Sequence, residues 1–565
     1  MSRPTSSRRS TAADLSVVQR LITALGVDYR QWRALLRAYM MLDFAALRGV
    51  YGPETARIAA YGMIMMCVLF GLMGLTPALL IWYSSDVLFA ATVMVTVIAG
   101  IAVSWAVIQI PTVISADDYA IVGYRPVSSR TYLAVRTSAL MIHTGQVVLL
   151  SGYLPMAAFL TRSNGSWRMA LGAAAALVAT AIAATFGVVA TYGGLLRVLG
   201  ASRMRRVTAY LTVLIPLAFM GGSASLWFFF VDFGDFGLKF SVKDVALPRT
   251  TATLMYPGTW FGAYVDIASG RAGGFELLAA SHSIVLLIAL TVALRSWVSS
   301  TYAVRIAQMT MDVTAPATRP DPAWSRLRGE WRAMALLMRH QFRDDMNAQV
   351  NVVMSIVLTL GLFWMVAYTD LPADPFAPDV EGAGSGSGFM LIYAAYSLPS
   401  TLWMFLVTSS SPQAAWPFFT TPSAHARLIM SARDVVAIVT LPITFILMTG
   451  FCTWAFGNLA HALLYSALIM VLAYLDLQIF VLARPRLPFS VSAMSRSGMS
   501  SPFGGGIGFL LVLTLMPVWL LVLVLSRTWI GVVLSLAGLI AISVVLNHFT
   551  RRRIVKLRET IVYGG

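Results

Sequence analysis

Long apolar stretches, each about the length of a membrane-spanning helix, recur through the whole chain and constrain its fold more than any motif does. A hydrocarbon core of about 30 Å takes roughly 20 helical residues to cross. Of the 565 residues, 58% are hydrophobic and 12% are charged, and the mean hydropathy is +0.76. Because a soluble core cannot hide that much apolar surface, we predict an all-α polytopic membrane protein.

The apolar stretches number about twelve and fall into two runs of six. Six spans per half keep both halves the same way up, so we expect parallel pseudo-repeats related by an axis along the membrane normal. The predicted organisation is a basic tail (1–29), a first half (30–300), a linker (301–325), a second half (326–550) and a basic tail (551–565). The predicted spans lie near 58–83, 87–114, 137–161, 168–196, 206–231, 275–298, 350–369, 388–408, 434–456, 460–483, 506–526 and 528–548.

A basic loop that contains proline follows the second span of each half, over 115–136 and over 409–433. Each loop reaches a proline, places an arginine four or five residues later, and places a second arginine six residues after the first. The same construction is therefore used at the same point of both predicted halves. These residues are Pro126, Arg130 and Arg136 in the first loop, and Pro422, Arg427 and Arg433 in the second.

An amphipathic segment with a shared Trp-Arg-Ala pattern precedes the first span of each half. The pattern begins with Trp32 and Arg33 in the first half and with Trp331 and Arg332 in the second. A basic amphipathic helix with Trp and Leu on one face lies in the plane of the membrane interface. We therefore predict that an elbow helix begins each half.

The chain has a formal net charge of +17, and the distribution of its basic residues predicts the membrane topology. Most of the 41 Lys and Arg residues fall in segments that share one side of the membrane, and the opposite loop over 369–388 has four acidic residues and no basic one. This is the positive-inside pattern, so we expect both termini in the cytoplasm and the chain in a bacterial inner membrane. Basic helix ends suit anionic headgroups, and we expect lipid, not nucleic acid, as their partner.

These features resemble the membrane subunits of ABC transporters of the ABC-2 exporter type, which have six spans, an N-terminal elbow and a coupling loop between spans two and three. The departures are that two permease halves are fused here and that the second loop has no acidic residue. By this resemblance, the residues that couple the chain to its ATPase are Asp117, Asp118, Arg125, Pro126, Arg130, Trp416, Pro422, His425 and Arg427.

The resemblance implies a permease subunit that moves a hydrophobic or amphipathic substrate by alternating access and is not itself an enzyme. The chain has no G-x-x-x-x-G-K-[ST] phosphate-binding loop. We therefore expect ATP and Mg²⁺ to be bound by a separate ATPase chain, in two copies, with no cofactor, metal or catalytic residue on this chain.

Two alternative hypotheses of function depend on polar residues inside the predicted spans, among them His143 and Asp476. Ionisable groups in a membrane are costly and are often functional, so Asp476 could carry a coupling ion in a secondary transporter. It could instead be hydrated or paired with Arg484 or Arg197. A membrane-embedded enzyme or an assembly factor is the third alternative.

Overall fold

The computed structural model of the chain describes residues 17–43, 53–113, 127–199, 245–298, 329–344, 425–483, 485–492 and 529–556, with short stretches and single residues between 204 and 242 and between 349 and 409. Residue contacts divide the chain into two compact units. The first unit comprises 1–44, 77–205 and 245–314, and the second comprises 45–76, 206–244 and 315–565.

The first unit is helical throughout its described part. Its helices are α1 (Val17–Ala24), α2 (Tyr29–Asp43), the last residues of α3 (Pro53–Tyr83), α4 (Val87–Val113), α5 (Ser129–Thr161), α6 (Trp167–Leu199), α7 (Thr251–Leu254), α8 (Pro257–Ala268) and α9 (Gly274–Ala293, continued by a π-helical turn over Leu294–Val298).

Helix α4 forms the centre of this unit, and α5, α6 and the short helix α8 pack around it. The close packing of α8 depends on glycine. A Cβ atom on Gly262 would lie 2.9 Å from Thr92 Oγ1, one on Gly258 would lie 2.5 Å from Thr96 Oγ1, and one on Gly172 of α6 would lie 2.8 Å from the Cβ atom of Ala268. Small residues let helix backbones approach where lipid gives no hydrophobic drive for association.

The second unit contains most of α3, four further helices and two short strand pairs within its described part. The helices are α10 (Gly329–Asp344), α11 (His425–Phe456), α12 (Leu459–Ala483) and α13 (Trp529–Lys556). Strands β1 (Val231–Phe233) and β2 (Phe240–Val242) are antiparallel with Val231 opposite Val242, and β3 (Thr408–Ser409) and β4 (Val491–Ser492) are parallel with Thr408 opposite Val491.

Two apolar clusters connect the described helices α10 to α13 of the second unit. One joins α10 to the first half of α11 and the end of α12, and Ile554 near the end of α13 belongs to it. The other joins the second half of α11 to the first half of α12, with Leu539 of α13. Helices α11, α12 and α13 therefore pack along their length, while α10 covers only one end.

Eight of the described helices are long and apolar enough to cross a membrane. They fall on eight of the twelve predicted spans, so the helical membrane character of the chain is confirmed. The predicted spans near 206–231, 350–369, 388–408 and 506–526 lie mostly or wholly outside the described residues, and the total of twelve and the repeat stay predictions. The eight are Met66–Tyr83, Val87–Ile110, Ser129–Thr161, Trp167–Leu199, Gly274–Ser296, His425–Phe456, Leu459–Leu482 and Ile530–Val555.

Two helices begin earlier than hydropathy predicts. Helix α5 starts at Ser129 and α11 at His425, each about two turns before its apolar part. The residues of these turns were expected in loops, but α2 and α10 pack against them and make the helical conformation favourable. At the other end of the chain, α13 continues to Lys556, so the first residues of the predicted basic tail are helical.

Candidate functional site

The predicted coupling positions divide into two groups by where they fall. Arg130 lies in the first turn of α5, and His425 and Arg427 lie in the first turn of α11. The amphipathic helix α2 packs against the beginning of α5, and α10 packs against the beginning of α11. We call these two contacts the first and the second junction. The other predicted positions, Asp117, Asp118, Arg125, Pro126, Trp416 and Pro422, lie outside the described residues.

At the first junction, α2 lies along the beginning of α5. Asp28 caps α2 by accepting hydrogen bonds from the backbone N–H groups of Arg30 and Gln31. The backbone N–H of Asp28 itself donates to Thr131 Oγ1 at 3.3 Å, and the indole Nε1 of Trp32 donates to Ser138 Oγ at 3.1 Å. Two hydrogen bonds therefore fix the start of α2 to α5.

Arg130 lies beside the turn that leads into α2. Gly26 in that turn has a φ of +77°, and a Cβ atom on it would lie 3.3 Å from Arg130 Nη1. A side chain at this position would meet both the left-handed backbone conformation and the guanidinium group. The first predicted coupling arginine is thus held against the entrance of the first elbow helix.

Arg136, six residues after Arg130 on α5, is 7% exposed. Its guanidinium carbon lies 4.1 Å from the centroid of the Tyr39 ring on α2 and 5.6 Å from that of Tyr132. Such a cation above an aromatic face is attracted by the ring quadrupole. The second arginine of the loop pattern therefore ties α5 to the elbow helix.

At the second junction, α10 packs against the beginning of α11 in the same way. Glu330 in the first turn of α10 forms an ion pair of 3.8 Å with Arg427, and both side chains are substantially exposed. Gly329 before it has a φ of +62°, and Trp331 packs against the apolar cluster that contains Ile429. The second elbow helix thus also meets the first arginine of its loop.

Arg433 matches Arg136 in position but not in partners. Its side chain is 2% exposed and forms an ion pair with Asp434. Its Nη1 donates to Asn547 Oδ1 of α13 at 3.0 Å, and its guanidinium carbon lies 5.6 Å from the Tyr474 ring centroid on α12. This arginine therefore ties α11 to two further helices of the second unit.

The intramembrane candidates lie on separate units. His143 is half-buried on α5, and Asp476 is completely buried on α12. Gln478 on the same helix is also buried. Within the described ranges, no three His, Cys, Asp or Glu side chains are grouped so that they could hold a metal ion.

A polar network that the sequence analysis did not anticipate joins the segment before α7 to α8 and α9. Arg249 forms ion pairs with Asp266 and Glu276, whose carboxylates are buried. Burial raises the pKa of the Asp266 carboxyl, although Arg249 opposes this. The sequence feature that could have predicted this network is Asp266, the single carboxylate of the otherwise apolar α8, since a buried charge requires a partner.

A further polar contact lies in the second unit. His461 Nδ1 and Asp374 Oδ2 lie 2.6 Å apart, and the His461 ring also packs against Phe376. Asn458 caps α12 by accepting from the backbone N–H of Ala460. The acidic loop over 369–388 is therefore attached to α12 at its described residues.

Comparison with models of protein families, with curated proteins and with solved structures finds no match to this chain.

Proposed function

We propose that this chain is the membrane permease subunit of an ATP-driven exporter of the ABC-2 type, and that a separate ATPase powers it. Each chain engages two ATPase subunits, which bind ATP and Mg²⁺. The substrate is hydrophobic or amphipathic and crosses by alternating access. The chain contributes the pathway and the two junctions, and it does no chemistry of its own.

The observation that supports this function is the repeated junction. In each unit an amphipathic helix packs on the beginning of the helix that follows the proline-containing loop. In each, the first arginine of the pattern meets the entrance of the elbow helix, and the second arginine is buried. Two separate sequence signals, the Trp-Arg-Ala pattern and the loop pattern, thus converge on one structural part that occurs twice.

Such a junction suits the transmission of movement. A buried arginine about two turns into α5 or α11 fixes that part of the helix to its neighbours, because its release would leave a buried charge without a partner. A displacement of the preceding loop is then carried into the helix as a whole. ATP-driven closure of the two ATPase subunits on the loops would therefore tilt α5 and α11 and change the access of the pathway.

Charge reversal at the two exposed arginines tests this proposal. In the Arg130→Glu, Arg427→Glu variant, we expect the chain to insert normally. Its affinity for the ATPase should fall by roughly tenfold or more, because the new carboxylates would face an acidic groove of the ATPase. The measurements are co-purification of a polypeptide that carries a Walker A motif, and ATP hydrolysis by the purified complex.

Arg427→Glu also removes the ion pair with Glu330, so a matched control is needed. The double exchange Glu330→Arg, Arg427→Glu restores an opposite-charge pair inside the chain while the reversed charge remains. If coupling is lost through contact with the ATPase, this exchange does not restore it. Full association and hydrolysis in the charge-reversed variant would contradict the proposal.

A second candidate function is supported by the complete burial of Asp476 within a membrane-spanning helix. A carboxylate at such a position suits the binding of a proton or sodium ion in a secondary transporter. Proteoliposomes that contain the chain alone distinguish the two functions. Gradient-driven transport that Asp476→Asn abolishes would establish the secondary transporter, whereas the exporter shows no response to an imposed gradient.

A further inference from the structure

The outward face of α2 carries a row of three arginines, Arg30, Arg33 and Arg37, which we call the arginine row. All three are exposed, while Trp32 and Tyr39 contact α5 on the other side of the helix. At 100° per residue, positions 30, 33 and 37 lie within about 60° of one another around the helix axis. The three guanidinium groups therefore present a single cationic surface.

Nothing in the described chain neutralises the arginine row. None of the three side chains has an ion pair or a hydrogen bond with another residue of that part, in contrast to Arg427, which pairs with Glu330. Like charges three and four residues apart on a helix repel each other. Arg30 also lies in the first turn, where the helix dipole disfavours a positive charge. The arginine row therefore destabilises α2 by itself, and an anionic partner would stabilise the helix.

The position of α2 identifies the chemistry of that partner. The helix contacts α5 at Thr131, Arg136 and Ser138, within the first three turns of a membrane-spanning helix. Lipid phosphates lie at this level of a bilayer. The planar guanidinium group binds phosphate oxygens through paired hydrogen bonds, and basic groups near a membrane surface are attracted by anionic lipid.

The second elbow helix does not repeat the arginine row at the same positions. When the two Trp-Arg-Ala patterns are aligned, the positions of Arg30, Arg33 and Arg37 are occupied by Gly329, Arg332 and Leu336. Only one of these positions keeps an arginine, and Arg339, further along the same helix, is half-buried and has a partner.

We propose that the arginine row of α2 is a binding site for the headgroups of anionic phospholipids. This site is independent of the exporter function proposed above, because it requires only that the chain lies in a bilayer.

Lipid titration of the full-length protein in detergent tests the site. The ligand is short-chain phosphatidylglycerol, the neutral reference is short-chain phosphatidylcholine, and binding is followed by thermophoresis of the labelled protein. In the Arg30→Gln, Arg33→Gln, Arg37→Gln variant, we expect the affinity for phosphatidylglycerol to fall by on the order of 100-fold, since each basic group near the surface contributes about 1 kcal/mol.

The chain offers a matched control in Arg551, Arg552 and Arg553, which are also exposed at the end of a membrane-spanning helix. Their replacement by Gln removes the same charge, but consecutive residues point in directions about 100° apart and do not form one face. Because basic helix ends also attract anionic headgroups, we expect this variant to lose some affinity for phosphatidylglycerol, but clearly less than the variant of the arginine row. The Arg30→Lys, Arg33→Lys, Arg37→Lys variant keeps the charge and should retain most of the affinity.

Several outcomes would overturn the site. Unchanged phosphatidylglycerol binding in the glutamine variant removes the row from lipid recognition, and an equal loss in the control variant shows only a response to net charge. Competition by a polyglutamate peptide at the same affinity would indicate an acidic protein partner instead. The thermal unfolding of each variant in phosphatidylcholine reports whether it is folded, and a variant that is not folded is replaced by its single substitutions.

Discussion

At the first junction two aromatic rings lie beside the buried arginine, whereas at the second a carboxylate and an amide bind it in addition to one aromatic ring. Arg136 lies over Tyr39 and beside Tyr132, while Arg433 bonds to Asp434 and Asn547. The exposed arginines differ as well, because Arg427 has an acidic partner on its elbow helix and Arg130 lies against a glycine turn. The position of the cation in the sequence is therefore repeated, but the way in which it is stabilised is not.

This difference between the two junctions has a physical cause. A cation two turns into α5 and α11 can be buried only if its surroundings offset the cost of removing it from water, and several sets of neighbours can do that. The first junction uses its own elbow helix, and the second uses α12 and α13. The two junctions should consequently respond to substitution with different magnitudes.

The largest expected difference concerns the two buried arginines. Arg433→Ala removes one partner of a mostly buried ion pair and should lower the free energy of unfolding by about 3 kcal/mol. Arg136→Ala removes a cation above aromatic rings and should cost about 1 to 2 kcal/mol. Unfolding of the purified protein by a denaturing detergent, followed by circular dichroism, gives both values.

The lysine variants at these two positions are the matched controls. Arg433→Lys keeps the charge but cannot reach Asp434 and Asn547 with a planar group, so it should recover little. Arg136→Lys keeps a cation over Tyr39 and should recover more. Equal losses at the two positions would show that burial alone, and not the kind of partner, sets the stability of a junction.

The next comparison is between the two elbow tryptophans. Trp32→Phe removes the hydrogen bond to Ser138 and should cost about 1 kcal/mol. Trp331→Phe keeps most of the apolar packing against its cluster and should cost less. A Ser138→Ala variant should match the loss in Trp32→Phe, and the two losses should not add in the double variant. Additive losses would contradict a direct bond between these two side chains.

The smallest expected effect is that of the exposed ion pair. Both Glu330 and Arg427 are substantially exposed, at 37% and 68% of their side chains, so solvent screens their attraction. Glu330→Ala should lower the free energy of unfolding by at most about 1 kcal/mol, and the effect should shrink as salt is added. A loss that is larger, or that is insensitive to salt, would mean that Glu330 makes a buried contact.

Much of the helical framework could be predicted from the sequence because hydrophobicity acts along the chain. The eight described membrane-spanning helices coincide with apolar stretches, and both elbow helices coincide with the Trp-Arg-Ala pattern. The starts of α5 and α11 could not be predicted this way. Residues such as Arg136 and Arg433 are polar, and only their packing against other elements makes a buried helical position favourable.

The candidate site was predictable in its positions and not in its contacts. The spacing of the arginines picks out Arg130, Arg136, Arg427 and Arg433, but no local rule identifies Tyr39 or Asn547 as their neighbours, because these partners lie far away in the chain. The network of Arg249, Asp266 and Glu276 was missed for the same reason. A single aspartate in an apolar segment predicts that a cation lies beside it, but the sequence does not identify the residue that supplies this cation.

Helix α8 has a consequence for the order in which the first unit is assembled. Twelve residues are too short to cross a bilayer, and Asp266 needs Arg249 beside it before its burial is tolerable. Its glycine contacts also require α4 and α6, which precede it in the chain. The packing of the first unit around α4 can therefore be completed only after the chain has been synthesised through Ala268.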